Sequence, residues 1–501
     1  MTAKTIMLQG TGSSVGKSLL TAALCRIMRE DGFRVAPFKS QNMALNSFVT
    51  LDGGEMGRAQ VVQAEAAGIE PTVDMNPILI KPEADARSQV IVRGKPWKTV
   101  SAFDYYRHTP ELLPIVKQSL ERLRSEYEII VIEGAGSPAE INLRGPEIVN
   151  MKIAEIADAP VLLVGDIDKG GVFASLVGTV ILLDPPERER IRGFIINKFR
   201  GDASILQPGL DFLEKHTGIP VLGVVPYIHN VLINEEDSIR WNDDGPGDLL
   251  IDIAVIYLPR ISNSTDFEPL QQEPGVRVRY IAHPKELGRP DLIIIPGSKS
   301  TISDLQHLKD SGLARMILRR AESGTPILGI CGGFQMLGKR IEDPHRIESE
   351  AASAEGLGLL DVTTVFEREK TTHRVKAKVL ADEGLLKGLA GQTLHGYEIH
   401  MGATTGQDVP PAFEITERSS RDGRHPDGAC GKGGKIIGTY LHGLFETEEF
   451  RRAFLRNLNP EYVPGEAVES SPSKEALYDR LAACVRQSMD IERIYRIAGL
   501  R

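Results

Sequence analysis

Three short stretches carry residue types that can do chemistry. The first is Gly10-Thr11-Gly12-Ser13-Ser14-Val15-Gly16-Lys17-Ser18, between an apolar run and an amphipathic stretch. Small residues let backbone N–H groups close around phosphate oxygens, and a following helix N-terminus adds positive potential. Gly12, Ser14, Val15 and Gly16 would form that cradle, Lys17 would reach the outer phosphates, and the Ser18 hydroxyl would ligate Mg2+. The usual spacing places a glycine where Thr11 stands; here it is one residue earlier, at Gly10, so the loop is a variant. The second stretch is Pro326 to Gly338, in which an apolar run enters Gly329-Ile330-Cys331-Gly332-Gly333. This is the thiol form of the tight strand-to-helix turn that exposes a nucleophile. The helix N-terminus favours the thiolate, and the Gly332 N–H can donate to an oxyanion. The third is His442, in Gly438-Thr439-Tyr440-Leu441-His442-Gly443, at the end of another apolar run. An imidazole there could serve the thiol as base and acid.

Such residues need rigid elements behind them. Apolar, β-branched runs at Thr5–Gln9, Arg34–Phe38, Ile129–Glu133, Val161–Asp166, Gly193–Asn197 and Val221–Pro226 alternate with helical patterns such as Gly16–Glu30 and Val172–Leu183. That alternation predicts a mostly parallel sheet covered on both faces. Glu133 ends its run and precedes Gly134, at the carboxyl edge where open α/β sheets bind ligands. Asp166 to Gly171 ends a strand likewise and borders the same edge. The acidic, Gly/Pro-containing stretch 235–248 reads as a linker. The alternation then resumes at Ile251–Leu258, Val276–Ala282, Leu292–Pro296 and Ile327–Cys331. Asp422 to Lys435 reads as a mobile glycine-rich loop. Beyond Pro472, Leu477, Leu481, Cys484 and Val485 recur at helical spacing and predict a helix packed on a domain surface.

Length and composition narrow the class. A chain of 501 residues exceeds one hydrophobic core. The expected division is an ATP-binding domain over 1–235, a linker over 236–249, a second α/β domain over 250–450 and a helical tail over 451–501. A net charge of −9 without a basic block disfavours a nucleic-acid partner. No apolar run is long enough to span a membrane, and the start lacks the signature of a signal peptide. Cys25, Cys331, Cys430 and Cys484 lie far apart without a CxxC pair, which points away from zinc or disulfides and towards a reducing cytoplasm.

The loop GTGSSVGKS resembles that of dethiobiotin synthetase and its relatives, which activate carboxylates with ATP. That resemblance implies that Lys39 faces the phosphates and that Glu55, in GEMGRAQ, and Glu133 are acidic Mg2+ ligands, with Asp52 a competitor to Glu55. It implies further that Asn197, in IINKF, reads adenine. The Cys331 segment resembles the nucleophile region of class I glutamine amidotransferases. There the resemblance implies a second oxyanion donor at Gly297, in Ile293 to Ser298, and assigns His442 as the base. Most of that class carry a glutamate two residues after the histidine; here that residue is Leu444. The orienting partner of His442 is therefore open, with Glu446 and Glu398 as alternatives.

The two halves in this order resemble the cobyrinate amidase group. Lys39 to Ser47, Pro296 to Thr301 and Gly396 to Gly402 look like its cobyric acid synthase branch, whereas the a,c-diamide synthase branch carries a more acidic segment after the second strand. The implied fold is α/β, with two doubly wound domains: a P-loop NTPase-like parallel sheet, then a class I glutamine amidotransferase-like (flavodoxin-like) domain. The implied reaction uses ATP, Mg2+ and L-glutamine to amidate a corrinoid, adenosylcobyrinic acid a,c-diamide, at its b, d, e and g carboxylates. Gln41, Asn42 and Asn46 follow the sheet edge and are either substrate contacts or polar turn residues. Tyr397, Glu398 and His400 are undecided in the same way. A different class, a P-loop switch ATPase with an inactive second domain, is the rival; such proteins carry a lysine where Gly12 stands. The oligomeric state is not legible.

Overall fold

In the computed structural model, residues 2–84, 87–143, 145, 147–228, 242–243, 249–349, 351–463 and 473–501 are described. The apolar runs of the first half are buried on both faces, so helices must cover both sides of the sheet they form. That sheet has six parallel strands, ordered Val221–Pro226, Ile191–Phe199, Val161–Asp166, Lys4–Gly10, Ile129–Glu133, Val35–Phe38. The first strand lies between Val161–Asp166 and Ile129–Glu133, so the phosphate loop that follows it opens at the middle of the carboxyl edge. The helix Lys17–Glu30 begins directly after Gly16.

Residues 41–101 depart from the expected alternation. Strands Gln41–Met43, Ile78–Ala84, Arg87–Val92 and Lys95–Ser101 form a small second sheet, and Ser47–Val49 pairs with Glu55–Gly57. Ile78–Ala84 and Arg87–Val92 bury the short apolar runs Ile78-Leu79-Ile80 and Val90-Ile91, but charged and proline residues interrupt the pattern on both sides of them.

The second domain is built on a sheet ordered Asn242–Asp243, Val276–Ile281, Ile251–Ile256, Leu292–Ile295, Ile327–Ile330, Ile436–Thr439, Ala429–Gly431. Its five inner strands are parallel and its two edge strands antiparallel. Most of the stretch read as the linker lies outside the described residues; Asn242–Asp243 supplies one edge strand. A separate antiparallel sheet is dominated by the hairpin of Val362–Val379 with Thr393–Gly406. The expected mobile loop at 422–435 is corrected. Arg421–Asp427 pairs with Phe413–Arg418, and Ala429–Gly431 pairs with Ile436–Thr439. Its glycines make the turns between strands, with φ of 76° at Gly428 and 75° at Gly434. Cys430 is accordingly buried.

The tail returns to the start of the chain. Helices Lys474–Ser488 and Ile491–Ala498 bury Leu481, Val485, Ile494 and Tyr495 in one core with Ile6, Leu8, Leu24 and Ile27. Arg26 binds Glu475 at 2.6 Å, and Arg486 binds Asp31 at 2.9 Å. No helix among the described residues is long and apolar enough to cross a membrane.

Candidate functional site

The phosphate loop borders a cavity of about 300 Å³ lined by Ser14, Gly16, Lys17, Ser18, Asn42 and Glu133, among others. Lys17 Nζ donates to the carbonyls of Gly12 at 2.9 Å and Gly136 at 3.2 Å. Ser18 Oγ donates to Glu133 Oε1 at 2.7 Å, and Lys39 Nζ to the same oxygen at 3.0 Å. Gln63 Nε2 donates to Glu133 Oε2 at 2.5 Å. Burial opposes the charge of Glu133. Lys39, with the Ser18 and Gln63 hydrogen bonds, outweighs it and holds the carboxyl below the usual carboxylate range. A hydroxyl and a carboxylate side by side, lining the cavity next to the phosphate loop, are the donor set a hard divalent ion takes beside phosphate oxygens. Among the described residues no cluster of three His, Cys, Asp or Glu could hold a metal alone.

Glu55 does not join this cavity. It is buried between Lys370, at 2.5 Å, and Lys81, at 2.7 Å, and accepts from Ser47 Oγ at 2.9 Å. Both its oxygens are held by ammonium groups, one of them from the second domain, so the structure places it in an inter-domain ion cluster. Its competitor Asp52 is exposed and accepts from Thr50. Asn197 is buried at the sheet edge, and its Nδ2 donates to the Val15 carbonyl at 2.8 Å, fastening the phosphate loop. Lys198 likewise donates to the Ser14 carbonyl at 2.6 Å and lies 3.6 Å from Asp166.

In the second domain, Cys331 ends its strand with φ 52° and ψ −109°, a conformation costly for a side-chain-bearing residue. Gly332 and Gly333 permit the turn to press against the preceding strand. A β-carbon on Gly333 would lie 1.9 Å from the Ile295 carbonyl oxygen, and one on Gly332 would lie 2.8 Å from the Ser298 nitrogen. The Gly332 and Gly297–Ser298 backbones thus converge beside the thiol, as an oxyanion pocket requires. Cys331 Sγ also donates to the Ile399 carbonyl at 3.4 Å.

His442 is 1% exposed, and Cys331 is among the groups that favour its charged form. Its Nδ1 lies 2.6 Å from Asp266 Oδ2, whose other oxygen accepts from the Gly443 N–H at 3.0 Å. Burial opposes a charge on the imidazole, but the Asp266 carboxylate, aided by Cys331, pushes its pKa up to about 10. Asp266 is therefore the orienting partner, in place of Glu446 or Glu398. Glu446 binds Lys474 at 3.2 Å, and Glu398 binds Arg418 at 2.7 Å. Tyr397 stacks on His442 with centroids 5.1 Å apart, and the two exchange backbone hydrogen bonds. His400 stacks on Tyr440 at 3.9 Å.

The segment from Lys39 to Ser47 runs from one site to the other. Lys39 holds Glu133; Gln41 accepts from the Tyr105 hydroxyl; Asn42 lines the phosphate cavity. Asn46 Oδ1 accepts from the Ser264 N–H at 2.9 Å, and the Ser47 N–H donates to Asn263 Oδ1 at 3.0 Å. Asn263 Nδ2 lies 3.4 Å from His442 Nε2. A cavity of about 490 Å³ opens behind the triad, between Phe48 and Arg58 of the first domain and Asp266, Tyr397 and Gly443 of the second.

Residues 6–239 match the CobQ/CobB/MinD/ParA nucleotide binding domain, and residues 252–450 the CobB/CobQ-like glutamine amidotransferase domain. Across its length the chain is 56% identical to a cobyric acid synthase of Dehalococcoides mccartyi (strain CBDB1), over 99% of both chains. It is 54% identical to one of Sorangium cellulosum (strain So ce56), over 100% of this chain and 99% of that one. It is 51% identical to one of Desulforamulus reducens (strain ATCC BAA-1160 / DSM 100696 / MI-1), over 99% and 98%.

Proposed function

This chain belongs to the cobyric acid synthase family, and from that premise we propose that it amidates the b, d, e and g carboxylates of adenosylcobyrinic acid a,c-diamide with ATP and glutamine. As in its relatives, the chemistry is a glutamine-dependent amidation in cobalamin biosynthesis. The supporting observation is the continuous run from Glu133 through Lys39, Asn46, Ser47 and Asn263 to His442, which ties a phosphate cavity to a thiol triad.

The Cys331 thiol gives its proton to His442 as Sγ bonds to the carboxamide carbon of glutamine, and the oxyanion is met by backbone N–H groups at Gly332 and Gly297–Ser298. His442, now charged and held by Asp266, gives its proton to the departing amine, and ammonia leaves. His442 then takes a proton from the water that hydrolyses the thioester, and Asp266 holds the ring for both transfers. In the first domain the acceptor carboxylate displaces ADP from the γ-phosphate, with Lys17 and Lys39 countering the charge. Ser18 and Glu133 would hold Mg2+, which supplies neutralisation of the phosphate oxygens. Gly12, Ser14, Val15 and Gly16 cradle the nucleotide, and Asn197 keeps the cradle closed from behind. Ammonia then replaces phosphate on the acyl carbon.

Mass spectrometry of the corrinoid after incubation with ATP and glutamine tests this. Four successive amidations of the a,c-diamide are expected, and consumption of only unamidated cobyrinic acid would refute the substrate. Cys331→Ser should abolish amidation from glutamine and leave amidation from ammonium salts intact.

A further inference from the structure

Asn42 and Asn76 are each 1% exposed and share the side of Gly57 on which a β-carbon would meet Asn42 Nδ2, Gln60 Oε1 and Asn76 Oδ1. They are used in opposite ways. Asn76 satisfies its amide on backbone: Nδ2 donates to the carbonyls of Lys39 and Ile78, and Oδ1 accepts from the Gly57 N–H. For Asn42, among the described residues, neither Oδ1 nor Nδ2 has a hydrogen-bond partner. A buried amide left unpaired costs free energy, and folded chains seldom leave one without a reason. Asn42 also borders the phosphate cavity, together with Lys17, Lys39 and Glu133, and pairing of Gln41–Met43 with Ile78–Ala84 fixes its backbone there.

The cavity already has cations for phosphate in Lys17 and Lys39. A neutral amide adds something different: one N–H face and one carbonyl face, matched to a carboxyl group that is becoming a carboxamide. We infer that Asn42 is a catalytic residue that binds the reacting carboxyl group of the acceptor beside the γ-phosphate. This rests on the carboxylate-activating function proposed above. In the first step a carboxylate oxygen bonds to the γ-phosphorus, and the bond to the β–γ bridging oxygen breaks, its electron pair leaving with ADP. Asn42 Nδ2 donates to the acyl oxygen that is not phosphorylated. In the second step the ammonia lone pair bonds to the acyl carbon and the former C=O electrons gather on that same oxygen, where the Nδ2 donor meets them. Asn42 Oδ1 accepts one ammonia N–H and so orients the nucleophile. The carbon–oxygen bond to phosphate then breaks, phosphate leaves with the electron pair and one proton from nitrogen, and the carboxamide remains.

The test uses the full chain with the corrinoid a,c-diamide as acceptor, and the variants Asn42→Ala and Asn42→Asp. Nucleotide binding is read with ADP, acyl phosphate by trapping with hydroxylamine, and amide by mass. Both variants should bind ADP as the parent does, raise the KM for the corrinoid, and lower kcat for amidation by about 10²-fold, the cost of losing one oxyanion donor. Asn42→Asp is nearly isosteric and keeps the acceptor face but not the donor, so it guards against a folding defect in Asn42→Ala. An unchanged corrinoid KM and kcat in Asn42→Asp would overturn the assignment, and so would a loss confined to ADP binding. If the parent chain forms no hydroxamate with any corrinoid carboxylate, the carboxylate-activating function itself fails, and the role of Asn42 fails with it.

Discussion

At the scale of single residues, Cys331 and His442 announce themselves because each ends an apolar run and is followed by glycine. Asp266 does not. It lies 176 positions before His442, in Ser264-Thr265-Asp266-Phe267, one acidic residue among the 68 of the chain. Its signal is local: Asn263 stands at φ 54°, and the turn that follows presents Asp266 to the histidine. The consequence is a pH dependence with a definite sign. The folded pKa of His442 is raised to about 10 from 6.5. A raised pKa means the folded state binds the proton more tightly, so this stabilisation is fully present below about pH 6.5 and is lost as pH rises through about 10. Thermal melting between pH 6 and 10 should show that decline in the parent and lose it in Asp266→Asn. In the same variant the imidazole, followed by NMR, should titrate nearer its ordinary value, and glutamine-driven kcat should fall by about 10²–10⁴-fold while ammonia-driven amidation persists. A variant that kept both the high imidazole pKa and full glutaminase activity would remove Asp266 from the triad.

At the scale of elements, periodicity located the strands of both parallel sheets to within a few residues, because burial on both faces leaves a continuous apolar run. It was blind to the sheet inserted at 41–101, whose buried apolar runs at 78–80 and 90–91 are too short to stand out, and to the strands at 421–431, whose side chains are largely polar or absent. That blindness explains Glu55. Expected from the resemblance to be a Mg2+ ligand at the phosphates, it sits on a strand paired with Ser47–Val49, and its carboxylate is held by Lys81 and Lys370. The segment Lys39 to Ser47 was legible as a motif but not as a bridge. Its far end holds the second domain through Asn46 to Ser264 and Ser47 to Asn263. Asn46→Ala removes the acceptor for a buried N–H, a loss of about 1–3 kcal/mol. With Ser264 released, Asp266 and Asn263 lose their register on His442. Glutamate released per amide formed should rise above one, while amidation from ammonium salts stays near the parent rate. A ratio that remained at one would show that the two sites are not linked through this segment.

At the scale of the whole molecule, the order of the domains in sequence is not the order in which they are held together. The chain builds the nucleotide domain, crosses to the glutaminase domain, and sends its last two helices back to the first helix of the chain. The spacing of Leu477, Leu481 and Val485 foretold a packed helix, but no periodicity says which domain receives it. Leu481, Val485, Ile494 and Tyr495 are fully buried against the nucleotide sheet and its first helix. Fully burying one such side chain is worth about 1.5–3 kcal/mol, which makes four of them comparable to the net stability of a domain. The Lys17–Glu30 helix that they cover carries Lys17 and Ser18 at its first turn, so the tail supports the phosphate loop from the opposite end of that helix. Removing residues 473–501 should therefore leave the glutaminase domain folded and expose the nucleotide domain. Limited proteolysis should cut within the first 230 residues while sparing 250–450, ADP binding should be lost, and glutamine hydrolysis should fall less than amidation. Retention of full nucleotide affinity by the truncated chain would mean that the first helix is held by its own sheet and that the tail only covers it.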